Sequence, residues 1–257
     1  MMGATTTTTM AKATVATADE ALVLVEQRGS QLWVTLNRAD KANAMTVSMV
    51  ERVTAALAEA ARNPEVKAVL LTGAGEKIFC AGVDVREQPA DGDMARQRER
   101  RSIALAALQD AVMDTPKPVI VVLNGAAIGG GAMIALLADA CVAAETASLS
   151  LSEIDIGIAT FSGASILEVI GSRALALDLV QSGRRMPAHE AASRGLVRTV
   201  AARAELDAAA AKIAEELGAK KQATFADNKR WINRALKSAL AQARAEHARH
   251  REQAARH

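Results

Sequence analysis

Tyrosine is absent from this 257-residue chain, and aromatic residues make up only 2% of it. A base-stacking surface for nucleic acid needs such rings, and 31 basic residues against 29 acidic ones (net +2) supply no cationic field to replace them. The two cysteines, Cys80 and Cys141, make no disulfide framework, which suggests a reducing compartment and a cytoplasmic protein. No apolar run approaches the roughly 20 residues of a membrane-spanning helix, so neither nucleic acid nor a membrane is expected as a partner. With so few rings to pack, alanine-rich helices must fill much of the core.

Residues 1–20, with Thr5 to Thr9, Thr14 and Thr17, lack the basic-then-apolar order of a secretory signal and hold no Arg. They are expected to form a disordered, low-complexity leader. Beyond it, strand and helix signals alternate, which indicates an α/β core over residues 21–200 and a helical region over residues 201–257. A hairpin is expected around Gln27 to Ser30, and Thr46 is placed to cap a helix with Val50, Val53 and Leu57 on one face. Strands are expected over 66–72, 117–123, 140–143, 149–151 and 196–200. Two long helices are expected to finish the chain, with Ile232, Leu236, Ala239 and Ala243 as an apolar stripe in the last.

Two glycine-bearing segments carry most of the information. Ile78-Phe79-Cys80-Ala81-Gly82-Val83-Asp84 and Asn124-Gly125-Ala126-Ala127-Ile128-Gly129-Gly130-Gly131 each follow a β-branched run. The second leads directly into the apolar stretch Ala132 to Ala138. Backbone N–H groups at two such loops can converge on one oxygen, the geometry that stabilises an oxyanion or enolate.

These segments, with Leu36-Asn37-Arg38, Asn43-Ala44-Met45, Lys117-Pro118-Val119, Ser152-Glu153-Ile154-Asp155-Ile156-Gly157 and Gly195-Leu196-Val197, resemble the crotonase superfamily of enoyl-CoA hydratases and isomerases over about residues 20–240. The resemblance implies a spiral of ββα units with a C-terminal helical trimerisation region, assembled as a homotrimer or dimer of trimers. It implies acyl-CoA thioesters as substrates, coenzyme A being part of the substrate, with no separate cofactor and no metal. Carried over by position, the oxyanion N–H groups are those of Val83 and Gly130. Lys41, Ala42, Ala81 and Gly82 would lie along the CoA moiety, with Asp84, Gly129, Met133 and Phe161 also at the substrate site.

The family's hydratases usually carry two glutamates. One falls on Glu153, whereas the other falls on Met133, and a thioether can neither orient water nor move a proton. One carboxylate suffices for a 1,3 proton shift. The stretch from Glu153 to Phe161 also resembles the Δ3,Δ2-enoyl-CoA isomerases, with Thr160 in place of a proline. Isomerisation is therefore the expected chemistry, with single-glutamate hydration or non-catalytic acyl-CoA binding as alternatives. Met133, Ile134, Ile158 and Phe161 are expected to form an apolar pocket that raises the pKa of Glu153.

Asp84 and Asp155 are expected to accept backbone N–H bonds in loops, and Asp139 to cap or pair locally. Cys80 is expected to be a small buried thiol. His247, His250 and His257 sit in a segment, Arg244 to His257, that reads as a solvated helical end rather than a metal site.

Overall fold

The structure, a computed structural model, describes residues 20–89 and 91–254, so the expected leader, Glu20 apart, lies outside the described residues. A hairpin comes first. Strands β1 (Val23–Arg28) and β2 (Gln31–Leu36) pair antiparallel, with Gly29 at φ +59° where the chain reverses. Thr46 then caps α1 (Val47–Arg62), its hydroxyl accepting from the Met49 N–H at 3.3 Å. Such a cap contributes about 1 kcal/mol. Val50, Val53 and Leu57 are buried on one face, and the buried Lys117 ammonium donates to the Ala60 and Asn63 carbonyls at the other end of the helix.

Three ββα units follow. The first is β3 (Ala68–Gly73), β4 (Ile78–Cys80) and α2 (Met94–Asp114); the second is β5 (Val119–Leu123), β6 (Ala126–Ile128) and α3 (Gly130–Leu137). The third is β7 (Ala140–Ala144), β8 (Ser148–Ser150) and, after a 3₁₀ turn at Glu153–Ile156, α4 (Phe161–Ile170). Next come α5 (Arg173–Ser182), β9 (Met186–Pro187), α6 (Ala188–Ser193) and β10 (Thr199–Ala201), then α7 (Leu206–Gly218), α8 (Gln222–Ile232) and α9 (Arg234–Ala254).

In each unit the first strand enters a large sheet, in the order β1-β2-β3-β5-β7-β10, and the second enters a small one, in the order β4-β6-β8-β9. This is the expected α/β spiral. Every pairing from β2 to β10 in the large sheet is parallel, and β5, buried along its whole length, lies inside it. A continuous apolar run such as Val119 to Leu123 is what a strand covered on both faces requires. In the small sheet β4, β6 and β8 run parallel, so their carboxyl ends open on the same side.

Several expectations change. The strand expected over 196–200 begins only at Thr199, because the N–H groups of Leu196 and Val197 both turn back to the Ala191 carbonyl of α6. Among the described residues three α-helices, not two, follow β10, and the first, α7, packs on β3, β5 and β7. The stripe of α9 is Leu236, Leu240 and Ala243, whereas Ile232 ends α8 and is 71% exposed. Asp139 pairs at long range, accepting from Lys229 of α8 at 2.6 Å, rather than locally. No helix among the described residues is long and apolar enough to cross a membrane.

Candidate active site

The three positions expected to be catalytic sit just past the carboxyl ends of neighbouring parallel strands. Val83 follows β4, Gly130 follows β6 and Glu153 follows β8. Strand ends of this kind are where parallel sheets present backbone and side chains to ligands.

Glycine at two positions lets the first two turns touch. Gly82 has φ +90°, and a Cβ there would lie 3.1 Å from the Ile128 carbonyl oxygen and 3.2 Å from the Gly130 nitrogen. At Gly131 the missing Cβ would stand 2.5 Å from the Cys80 carbonyl oxygen. Val83 is therefore held beside the first residue of α3. Met45 N–H donates to the Gly82 carbonyl and Asp84 N–H to the Met45 carbonyl, each at 2.8 Å, so the Val83 N–H stands between two fixed bonds. Among the described residues neither the Val83 nor the Gly130 N–H finds an acceptor. Two adjacent unused donors, one of them at a helix N-terminus, can bind a developing oxyanion. The Cβ that Gly130 lacks would face Leu105 at 3.4 Å and the Gly82 Cα at 3.6 Å, so the close approach of the turns is made at Gly82 and Gly131 rather than here.

Glu153 meets this pair from the third strand end. The Gly129 N–H donates to the Ser150 carbonyl at 2.9 Å, which fastens the turn before α3 to β8. A Cβ on Gly129 would lie 3.2 Å from Glu153 Oε1, so the carboxyl group rests against that glycine. Oε1 accepts from the Thr160 hydroxyl at 3.4 Å, while Oε2 is buried with no partner. Burial pushes the Glu153 pKa above the usual carboxylate range, partly offset by its own backbone N–H and by Thr160.

Met133 is buried, and its sulfur accepts from Gln109 Nε2 at 3.5 Å. Its methyl group and the Thr160 hydroxyl converge on Gly163, where a Cβ would meet them at 3.2 and 2.7 Å. Ile158 does not join this wall: it is 42% exposed on the turn after Gly157. Ile134 is fully buried in the main core. Phe161 is half-buried, with the His247 and His250 rings of α9 edge-on to it at 6.0 and 5.8 Å. His247 is thus partly buried on the Phe161 ring, whereas His250 meets that ring by its edge and stays exposed.

Of the positions expected along CoA, Ala42 and Ala81 are brought together by the Ala81 N–H, which donates to the Ala42 carbonyl at 3.0 Å. Lys41 beside them is exposed. The fully buried Asn43 fixes this loop, donating to the Ala74 and Ile78 carbonyls and accepting from the Arg38 N–H. Asp84 acts as a loop acceptor for Arg38 Nη1 at 2.6 Å and the Arg86 N–H at 2.9 Å. Burial raises its pKa, but these bonds and the Arg38 and Arg101 charges outweigh that and hold it below the usual range. Cys80 is a buried thiol pushed up to about 12 by desolvation, which leaves it no role as a nucleophile at neutral pH.

Gln109, Leu105 and Gly163 are site neighbours that the sequence did not single out. Only the helical spacing of Leu105 and Gln109 in α2 could have marked them as one face.

Residues 26–257 match the sequence profile of the family described as Enoyl-CoA hydratase/isomerase. The chain is 35% identical over 211 residues to a Bacillus subtilis (strain 168) protein named "Putative enoyl-CoA hydratase/isomerase YngF", covering 81% of this chain and 80% of that one. It is 37% identical over 192 residues to carnitinyl-CoA dehydratase of Salmonella enteritidis PT4, covering 74% and 72% respectively. Among solved structures, an enoyl-CoA hydratase from Bacillus anthracis superposes with a TM-score of 0.77 at 30% identity, over 89% of this chain and 91% of that one.

Proposed function

The chain belongs to the enoyl-CoA hydratase/isomerase family, and within it we propose that it moves the double bond of a 3-enoyl-CoA to the 2 position. In this reading the Glu153 carboxylate takes a proton from C2. The thioester oxygen of the resulting dienolate accepts from the Val83 and Gly130 N–H groups, and the Glu153 carboxylic acid returns the proton at C4. No water is consumed, and the carboxylate is regenerated. Each oxyanion donor is expected to lower the barrier by about 3 to 4 kcal/mol.

The observation that carries this reading is one buried carboxyl group against the oxyanion turn, with Met133 where a second acid would be needed to manage water. Lys41, Ala42, Ala81 and Gly82 are assigned to CoA, and Gly129, Met133 and Phe161 to the acyl pocket. A homotrimer or dimer of trimers is the proposed assembly, supported by the exposed apolar side chains of Ile154, Ile156 and Ile158.

A second reading, hydration or dehydration by Glu153 alone, is favoured by the carnitinyl-CoA dehydratase relative. Incubation of the pure protein with a 3-enoyl-CoA and, separately, with crotonyl-CoA divides the two. Conjugation of the 3-enoyl thioester with little loss of crotonyl absorbance supports isomerisation, and the reverse pattern supports hydration. Glu153→Gln is expected to cut turnover by about 10²-fold or more while CoA thioester binding survives. Unchanged turnover would remove Glu153 from its assigned role.

A further inference from the structure

Thr160 occupies the N-cap of α4, yet its side chain makes no cap hydrogen bond. A threonine at that position ordinarily uses its hydroxyl to accept from the N–H groups of the first turn. Here only the backbone contributes, the Thr160 carbonyl accepting from the Ala164 N–H at 3.0 Å. The hydroxyl of Thr160, a residue only 9% exposed, instead turns inward and donates to Glu153 Oε1. Gly163, one turn into the helix, leaves the room: a Cβ there would stand 2.7 Å from the Thr160 oxygen. On the opposite side Gly129 carries no Cβ to displace the same carboxylate oxygen.

We propose that Thr160 is a positioning residue, whose hydroxyl ties down Oε1 and so sets the orientation in which the Glu153 carboxyl group takes and returns the substrate proton. The inference rests on the reading of Glu153 as the base. At 3.4 Å the bond is longer than a relaxed hydroxyl–carboxylate contact of about 2.7 Å, and bonds of this kind tighten when substrate fills the site. Among the described residues Glu153 forms no ion pair, which leaves the hydroxyl as its polar side-chain partner. Asp155 lies on the same turn with its carboxylate toward Gly183, and His247 and His250 of α9 face Phe161. Because the hydroxyl favours the charged carboxylate, its removal should make Glu153 a weaker acid.

The test compares wild type, Thr160→Val and Thr160→Ser by the pH profile of kcat/KM with a 3-enoyl-CoA. A ¹³C NMR titration of the Glu153 carboxyl in ligand-free protein runs beside it, with Glu153→Gln identifying the resonance. Valine should move both the acid limb and the titration midpoint to higher pH, and serine should bring both back. Profiles and midpoints that coincide in all three, with Glu153→Gln inactive, overturn the role of Thr160 and leave Glu153 as the base. Full turnover in Glu153→Gln overturns the base assignment and the positioning role of Thr160 that rests on it. A loss of thermal stability in the valine variant with no change in either pH readout marks Thr160 as structural and also overturns the proposal.

Discussion

Glu153 is a carboxylic acid kept where its charge is disfavoured, as the proposed role of taking a proton from carbon requires. Since the base form must be ionised, kcat/KM should fall as pH drops through the Glu153 pKa. Burial raises that pKa, so the acid limb should lie above the range of an ordinary surface carboxylate. A pH–rate profile in which activity persists to the usual carboxylate range would contradict the assignment. Met133 offers a second handle. A glutamate is close to methionine in length, and Gln109 Nε2, now spent on a thioether, could donate to the new carboxylate. Met133→Glu is therefore expected to raise hydration of crotonyl-CoA relative to isomerisation of a 3-enoyl-CoA. An unchanged ratio would mean that the second acid position does not set the reaction. That Glu153 follows β8 and Met133 stands in the first turn of α3 was legible in sequence, because each falls within a local motif. The partners of Oε1 and of the Met133 sulfur were not, since a hydroxyl turned away from its helix and an amide two elements distant leave no local pattern.

The elements that position the site are held by close backbone approach, so bulk added at the right glycine should show it. In Gly131→Ala the new Cβ would fall 2.5 Å from the Cys80 carbonyl oxygen and 2.7 Å from the Cys80 Cβ, forcing α3 away from β4. That overpacking should cost about 1 to 3 kcal/mol of stability, and it should also separate the two N–H donors and lower kcat. Gly130→Ala is the milder comparison: it keeps its N–H, and its Cβ would meet Leu105 at 3.4 Å and the Gly82 Cα at 3.6 Å, ordinary van der Waals contacts. Urea unfolding together with kcat should rank the two variants clearly, and equal behaviour would deny that the spacing of α3 and β4 matters. Elements with strong local marks were legible, among them the β-branched run of β5 and the Thr46 cap of α1. The C-terminal helices were miscounted for a physical reason. Between Gln222 and Ala254 there is no Gly or Pro, and the break between α8 and α9 is made at Asn233, whose amide donates to the Met113 carbonyl. Alanine-rich sequence continues helically on either side of such a break, so propensity alone cannot place it.

At the level of the whole molecule the question is what joins the C-terminal helices to the sheets. Arg244 of α9 reaches Asp110 and Gln109 of α2, and Gln109 in turn reaches Met133, so the last helix is linked to the site wall. The deeper link is Lys229 with Asp139, 90 residues apart, whose side chains are only 4% and 15% exposed. Asp139 also accepts from the Val119 N–H at 2.8 Å, so one carboxylate joins α8 to the start of β5. No sequence pattern pairs two such residues, which is why Asp139 reads as a local cap. Desolvation works against both charges, raising the Asp139 pKa and lowering that of Lys229, so each ion depends on the other. Lys229→Met should strand a buried carboxylate and cost roughly 3 to 5 kcal/mol. Adding Asp139→Asn removes the stranded charge while an amide oxygen still accepts from Val119, so the double variant should regain much of that loss. Denaturation midpoints at neutral pH provide the check. If the double variant is no more stable than Lys229→Met alone, the uncompensated charge is not the source of the loss, and α8 is held to the sheet by its packing rather than by this pair.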